Sequence, residues 1–150
     1  NQKVYKPIKT KITSIVSGGV SIKQVLPGGS MALMTTLDPA IVKSDKLTGS
    51  IVGLPGKLPK VYYEFTLETN LLERVVGTKE DSIVEPIKKM EPLMLNVNSA
   101  ATVGFVTELS KNKIKCKLKL PVCCEVGSRI TISRRIGNRF RLIGYGVLIE

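Results

Sequence analysis

The sequence contains no histidine among its 150 residues. Histidine is the commonest general base and the commonest metal ligand, so its absence excludes catalytic triads and most zinc sites. Nowhere does the chain approach the roughly 18–20 consecutive apolar residues that span a bilayer, and we expect no membrane partner. Hydrophobic residues make up 43% of the sequence, which is typical of a folded chain rather than a disordered one.

Cysteine is scarce as well, at positions 116, 123 and 124. Adjacent cysteines rarely bridge each other, and an odd number fits a reducing compartment, which predicts a cytoplasmic protein. A zinc site would need all three thiols plus a carboxylate, at a spacing that matches no standard pattern. A thiol-dependent enzyme would need Cys123 or Cys124 to be activated without its usual base. We interpret the three cysteines as buried or half-buried strand residues.

Nucleotide-binding motifs are missing too. The only Gly-Lys pair is Gly56-Lys57, and Ile51 stands five residues before Gly56, where a phosphate-binding P-loop requires glycine. The segment Asn112–Lys115 lacks the acid of a guanine-reading motif. Alternation places Glu64 and Glu68 on a solvated strand face. The sequence therefore predicts a chain that is not itself an enzyme and that holds no cofactor.

Acidic residues are few, and the net charge of +11 is unevenly spread. Residues 1–57 hold eight lysines and two aspartates, whereas residues 58–110 hold five basic and eight acidic residues. Residues 111–141 hold ten basic residues against Glu125 alone. Such an asymmetry favours an anionic partner, with nucleic acid or the ribosome as the first candidate.

A row of lysines forms the densest basic segment. Because side chains alternate across a strand, these ammonium groups share one face, while the even positions from Ile114 point to a core. Five like charges without interleaved acids repel one another, which favours contact with RNA or the ribosome. A solvated edge strand protected by lysine is the alternative. The row consists of Lys111, Lys113, Lys115, Lys117 and Lys119.

A second basic cluster surrounds Ile136-Gly137-Asn138, which predicts a hairpin turn because Gly and Asn tolerate positive φ. Arginine forks pair well with phosphates, so RNA contact is one interpretation of the cluster. Packing against a neighbouring domain is the other. The arginines at the tip and flanks are Arg134, Arg135, Arg139 and Arg141.

Short strands at roughly ten-residue spacing dominate the chain, which predicts an all-β barrel or sandwich. Besides the lysine row, the predicted strands are Ile12–Val16, Val61–Glu68, Ala101–Val106, Arg129–Ser133 and Arg139–Ile149. We expect a turn at Ser17–Gly19 and a bulge or tight bend at Gly144 and Gly146. The one segment that suggests a helical turn is Asn70–Val76.

Two prolines and two glycines within Gly53–Pro59 predict a linker. The domains are then 1–57 and 58–150, and the first is too short for a closed barrel, so we expect it to be part of a domain. The N-terminus lacks both Met and the apolar segment of a signal peptide. We therefore expect the chain to be the C-terminal part of a longer protein.

Several long segments of the sequence, in order from about residue 27 to 146, resemble one protein family. It is the gamma subunit of archaeal and eukaryotic translation initiation factor 2. The segments are Leu37-Asp38-Pro39, Lys43–Gly49, Val52–Pro59, Leu71–Gly77, Glu91–Val97, Pro121–Cys123 running on to Ile132–Gly137, and Arg141–Gly146. One departure is Asn98, where the family has glycine; since Asn tolerates left-handed geometry, we expect the turn to survive.

The resemblance implies an architecture like that of elongation factor Tu, a GTPase domain followed by two β-barrels. Residues 1–57 would be the later part of barrel domain II, and residues 58–150 the whole of barrel domain III. In the family, the intact subunit binds GTP with magnesium through a domain absent here. It also binds initiator methionyl-tRNA, joins the alpha and beta subunits, and delivers the tRNA to the small ribosomal subunit. This chain would be a scaffold for those partners.

By similarity to elongation factors, the aminoacylated 3′ end of tRNA lies near a glycine-containing loop of the second domain, where the backbone is able to approach a ligand closely. A simple turn is the alternative for any one residue. The residues that match are Pro27, Gly28, Gly29, Ser30, Met31 and Ala32. A free-standing basic barrel, ribosomal or generally RNA-binding, is the alternative to the family as a whole.

Overall fold

The computed structural model describes residues 5–77 and 82–150. The chain divides into two compact units, Asn1–Leu47 and Thr48–Glu150. Strands dominate both, and the described residues contain one short α-helix, which confirms the all-β prediction. The predicted linker residues up to 57 group with the second unit from Thr48 onward.

The first unit contains a three-stranded antiparallel sheet of β1 (Ile12–Ser17), β2 (Val20–Ile22) and β3 (Ala32–Thr35), in the order β2-β1-β3. The predicted Gly18-Gly19 turn joins β1 to β2, with φ of 58° and 80°. None of residues 5–47 is fully buried. Apolar side chains remain exposed instead, among them Ile12, Val20, Leu33 and Met34. This fits a sheet that belongs to a larger domain, which stays a prediction.

Helix α1 (Pro39–Val42) leads into a 3-10 turn at Lys43–Asp45. An Asp38 carboxylate oxygen accepts a hydrogen bond from the Ala40 amide at 2.8 Å, and Pro39 fills the first helical position, where its missing N–H costs nothing. The helical turn expected at Asn70–Val76 is wrong. Asn70 and Leu71 end a strand, and Arg74 forms a β-bridge with Ile83.

The second unit is a closed antiparallel barrel of six strands in the order β4-β7-β6-β5-β8-β9. The predicted strands of this region all lie within it. β5 was missed, although its buried Leu93, Leu95 and Val97 alternate as a strand requires. The strands are β4 (Val61–Leu71), β5 (Pro92–Val97), β6 (Ala100–Ser110), β7 (Lys113–Cys123), β8 (Arg129–Ile136) and β9 (Arg139–Leu148).

Inward-facing side chains fill the barrel. The largest of those that are fully buried are Phe65, Leu67, Leu93, Leu95, Ile130, Ile132, Ile143 and Leu148. Strand β9 carries the predicted bulge: its register with β8 shifts at Ile132/Ser133, leaving Ile143 as the extra residue beside Gly144. A Cβ at Gly144 would strike the Asn70 carbonyl oxygen, so glycine is required for β9 to approach β4.

The hairpin between β5 and β6 turns at Asn98, whose φ is 52°. This is the left-handed geometry expected where the family has glycine, and the turn is preserved as predicted. Val97 pairs with Ala100 across it. The two-residue connection therefore keeps β5 and β6 in register without glycine.

Candidate functional site

The lysine row lies on the outer surface of the barrel. Lys113, Lys117 and Lys119 are exposed on β7 and Lys115 is half-buried, whereas the intervening Ile114 and Cys116 are buried in the core. Lys111 stands in the turn before the strand. The row therefore faces solvent as predicted, but its core-facing positions are buried only as far as Cys116, since Leu118 is half-buried and Leu120 is 52% exposed.

Acidic side chains flank this row, contrary to the expectation of like charges without interleaved acids. Glu64 and Glu68 on β4 stand opposite Lys117 and Lys113, and Glu108 on β6 stands opposite Lys115. The Lys115 Nζ to Glu108 Oε1 distance is 3.4 Å. These acids are distant in sequence, and only the barrel's pairing brings them beside the lysines. The repulsion argument for an anionic partner is correspondingly weaker, and the solvated-face alternative gains support.

Arg134 is engaged within the chain. Its guanidinium donates to the Glu91 carboxylate, with Nε to Oε1 at 2.5 Å and Nη2 to Oε2 at 3.2 Å. It also donates to the carbonyl oxygens of Glu85 and Pro86, at 2.9 and 3.1 Å. The two side chains of the ion pair are only 16% and 14% exposed. Arg134 therefore holds the segment 85–91 against β8, with its guanidinium donors engaged within the chain.

The other hairpin arginines lie at or near an exposed tip. Gly137, at φ 58°, occupies the first position of the two-residue turn between Ile136 and Arg139, which confirms the predicted hairpin. Arg135 and Arg139 are exposed, and no carboxylate of residues 5–77 or 82–150 forms an ion pair with either. Arg141 is half-buried opposite Arg134.

Aromatic residues that were not predicted as part of the site lie beside arginines of the β8–β9 hairpin. Phe140 pairs directly with Arg135 across the hairpin and is 42% exposed. Farther along the same two strands, the Arg129 guanidinium lies over the Tyr145 ring, 4.6 Å from its centre. The signal in the sequence was an arginine-rich hairpin containing aromatic residues. The strand register and the bulge decide which positions of β8 and β9 share a face, and the register could not be read from the sequence.

The loop expected near a tRNA 3′ end lies in the first unit and is open. Pro27–Gly29 form an exposed turn with Gly28 at φ 111°, and a Cβ at Gly28 or Gly29 would meet nothing within 4 Å. The Ser30 carbonyl accepts a hydrogen bond from the Ser17 hydroxyl at 3.1 Å, which ties the loop to β1. Met31 is 41% exposed, and Ala32 begins β3.

The cysteines are buried or half-buried, as predicted. Burial raises the pKa of Cys116 from its ordinary value of 9.0 to about 12. Burial, followed by the neighbouring Cys123, raises the pKa of Cys124 to about 11. Burial also raises the pKa of Cys123, whose thiol donates to the Pro59 carbonyl at 3.1 Å. A nucleophilic or metal-binding thiol needs a lowered pKa, so these environments oppose a thiol-dependent enzyme.

In residues 5–77 and 82–150, no three or more Cys, Asp or Glu side chains group in a way that would hold a metal ion. None of the helices described is long and apolar enough to cross a membrane.

Solved structures of translation factors share this fold. A bacterial selenocysteine-specific elongation factor, EF-Sec, matches 92% of this chain with a TM-score of 0.63 and 18% identity, over 20% of its own length. The elongation factor SelB from Methanococcus maripaludis, in complex with a GTP analogue, matches 94% with a TM-score of 0.65 and 16% identity, over 34% of its length. At such identities the likeness concerns the fold alone.

Curated relatives are much more similar in sequence. Translation initiation factor 2 subunit gamma of Thermococcus kodakarensis is 53% identical over 146 residues, which is 97% of this chain. The protein of the same description from Methanocaldococcus jannaschii is 49% identical over 148 residues, or 99% of this chain. In both cases the match covers 36% of the relative, so the chain spans about a third of the length of these proteins.

A family model described as "Initiation factor eIF2 gamma, C terminal" matches residues 63–148. That range contains five of the six barrel strands entirely and most of β4. Together with the extent and identity of the curated relatives, the match decides between the family and an unrelated basic barrel. The chain belongs to the translation initiation factor eIF2 gamma family and corresponds to its C-terminal part.

Proposed function

We propose that this chain is the part of a translation initiation factor 2 gamma subunit that serves as a scaffold for initiator methionyl-tRNA, the alpha and beta subunits and the small ribosomal subunit. The observation that carries the proposal is family membership across nearly the whole chain. GTP and magnesium then belong to the remainder of the intact subunit. Delivery of tRNA would depend on both parts.

The surfaces described above support separate contributions to this scaffold. The exposed Pro27–Ala32 segment is the part of the chain to which we assign the aminoacylated 3′ end, since a Cβ at Gly28 or Gly29 would meet nothing within 4 Å. The outward lysines of β7 and the exposed Arg135 and Arg139 supply positive charge for RNA, whereas Arg134 is left out because its donors are occupied within the chain. Arg141 stays in the proposal as a half-buried flank of the hairpin.

Measuring RNA affinity against salt concentration tests this proposal. Replacing Lys113, Lys115 and Lys117 by Ala should weaken binding of tRNA and of small ribosomal subunits, and should reduce the slope of log K against log salt by about 2. The control is the triple variant Lys57→Ala, Lys88→Ala, Lys89→Ala, which removes the same number of positive charges outside the lysine row. Unchanged binding at low salt would indicate that the lysine row is a solvated face that does not contact RNA.

The same titrations with charged and uncharged initiator tRNA test the loop. We expect weak binding by this chain alone, because half of the tRNA site lies in the GTPase domain of the intact subunit. Tight binding that depends on the aminoacyl group would contradict the division of labour proposed here.

A further inference from the structure

The outer face of the β8–β9 ribbon carries two aromatic rings beside arginines, of which Phe140 is exposed and Tyr145 is half-buried. The register places Arg129, Thr131 and Arg135 of β8 on the same face as Phe140 and Tyr145 of β9. The alternate positions Ile130, Ile132 and Gly144 are buried. This face is therefore directed away from the core, and its rings do not contribute to the buried cluster.

An arginine and an aromatic residue stand at each end of this face, the first pair in side-chain contact and the second related by the strand register, with the Arg135 Nε donating to the Gly137 carbonyl at 3.3 Å. Near one end the Arg129 guanidinium lies 4.6 Å from the centre of the Tyr145 ring. At the hairpin tip, Arg135 pairs across the strands with Phe140, which is 42% exposed. Phe140 and Tyr145 are separated by roughly 13–17 Å, given about 3.3 Å per strand residue and the bulge between them.

Neutral polar side chains extend the face on both sides. Asn70 of β4 stands opposite Tyr145, and Asn96 of β5 stands opposite Thr131. All three of these polar residues are exposed. Amides and hydroxyls of this kind donate to and accept from the edges of nucleic-acid bases.

The charge of the face is mainly positive. Glu68 is the nearest acid on a paired strand, opposite Val147 at the Arg129 end, and it accepts a hydrogen bond from the Asn112 amide at 2.9 Å. Across the described ranges, no carboxylate forms an ion pair with Arg129 or Arg135. The lysine row of β7, by contrast, has three glutamates opposite it.

We propose that this face binds single-stranded RNA, with bases stacking on Phe140 and Tyr145 and the backbone phosphates contacting Arg129 and Arg135. Exposed aromatic rings beside cations on a sheet are the means by which proteins hold unpaired strands, since every base has a face that stacks. The bases of a double helix are stacked on one another and are therefore not available to stack on the rings. The inference rests on the RNA-binding function proposed above and specifies which form of RNA the hairpin takes.

Fluorescence anisotropy with a labelled single-stranded RNA of twelve nucleotides tests the inference. Phe140→Leu and Tyr145→Leu should each weaken binding about tenfold while leaving the salt slope unchanged, because leucine removes stacking and no charge. Arg129→Gln and Arg135→Gln should each reduce the slope by about 0.7. A strand containing 2-aminopurine should lose fluorescence on binding the unaltered chain, which reports stacking without any substitution.

Matched controls separate stacking from general effects. Phe105, another phenylalanine exposed to 40%, pairs with Lys117, which stands opposite Glu64; Phe105→Leu should leave RNA affinity unchanged. Lys89→Gln removes one exposed charge elsewhere and should have no specific effect on the single strand. Melting curves establish that each variant is folded. If Tyr145→Leu unfolds the barrel, Phe140→Leu and the 2-aminopurine signal decide the question.

The outcomes distinguish the two proposals. Weaker binding of the single strand, with unchanged binding of a duplex and of an abasic strand, supports stacking at this face. Single-strand affinity that is unchanged in both ring variants overturns the inference and leaves the broader RNA-binding proposal standing. Preference for an acidic peptide over RNA at this face also overturns it. No RNA binding at all by the unaltered chain overturns the inference and the RNA-binding part of the proposed function together.

Discussion

The two fully buried thiols of the second unit give its stability a defined dependence on pH. Both pKa values, about 12 for Cys116 and about 11 for Cys124, lie above the ordinary 9.0. The unfolded chain therefore loses its thiol protons first as pH rises. The stability that burial of the neutral thiols provides is complete below about pH 9 and decreases above it, at up to about 1.4 kcal/mol per pH unit for each thiol.

Urea unfolding between pH 8.5 and 10.5 measures this effect. The double variant Cys116→Ala, Cys124→Ala should be less stable than the unaltered chain at pH 8.5, because methyl-sized cavities replace the sulfur atoms. It should lose less stability on going to pH 10.5. Cys123→Ala, at the half-buried position, serves as the control and should keep most of the slope. Equal slopes for all three proteins would show that the buried thiols do not titrate as described.

Gly144 is a second residue whose role is defined by its neighbours. A Cβ there would collide with the Asn70 carbonyl oxygen and come within 2.9 Å of the Leu71 Cα. Gly144→Ala should lower the free energy of unfolding by about 2 kcal/mol, since backbone atoms have to move apart. At Gly146 the added Cβ meets the Leu67 side chain, so Gly146→Ala should cost less. Urea denaturation that shows the opposite order would contradict this explanation.

At the scale of elements, β7 illustrates how pairing alters the meaning of a pattern. The alternation of lysine with apolar residues predicted one basic face and one core face; the basic face is present, and along the lysine row the core face extends only to Cys116, with Leu118 half-buried and Leu120 exposed. The acids opposite the lysines come from β4 and β6. No local pattern in β7 indicates which strands flank it, so its electrostatic surroundings were not predictable from that segment.

Irregular pairing in β7 depends on Thr102 of β6. Tyr62 of β4 pairs with Val122, but Glu64 pairs with Lys117, so the strand carries extra residues around Pro121. The buried Thr102 hydroxyl donates to the Leu120 carbonyl at 2.8 Å and accepts from the Leu120 amide at 3.0 Å. It thereby satisfies a backbone segment that the sheet leaves unpaired.

Thr102→Val tests this role. The substitution keeps the shape and removes both hydrogen bonds, so it should destabilise the barrel by about 2 kcal/mol and speed amide exchange at Leu120. Thr102→Ser keeps the hydroxyl and loses only a methyl group; it should cost about 1 kcal/mol and leave Leu120 protected. Both effects are measurable by urea unfolding combined with hydrogen exchange. Exchange at Leu120 that is equally fast in both variants would exclude the hydroxyl as the stabilising group.

For the whole molecule, the core of the second unit is built from its own residues, all between Tyr62 and Leu148. We therefore expect residues 48–150 to fold alone and to unfold at the same urea concentration as the barrel of the full chain. A chain of residues 58–150, the boundary predicted from the linker, should be less stable because Gly49 packs closely against Ala100. Equal urea midpoints for residues 48–150 and residues 58–150 would show that the domain boundary lies at residue 58.

The sequence by itself determined the all-β class and most barrel strands. Alternation, turn residues and charge are local properties, so a single segment displays them. The hairpin at Gly137, the left-handed Asn98 and the bulge at Gly144 followed from the backbone preferences of single residues. The resemblance to the gamma subunit family rested on several long sequence segments in the same order, and the family match and the relatives confirm it.

Tertiary structure alone decided what surrounds each charged side chain. Arg134 contacts Glu91, and Phe140 faces Arg135 across the hairpin. Lys113 and Lys115 face Glu68 and Glu108 on the neighbouring strands. Closure of the barrel placed glutamates beside the lysines and turned Arg134 inward. It also left Phe140 and Tyr145 on an outer face with Arg135 and Arg129. Salt screens interactions between exposed charges beyond about 10 Å, so the role of a charge depends on neighbours in space rather than in sequence.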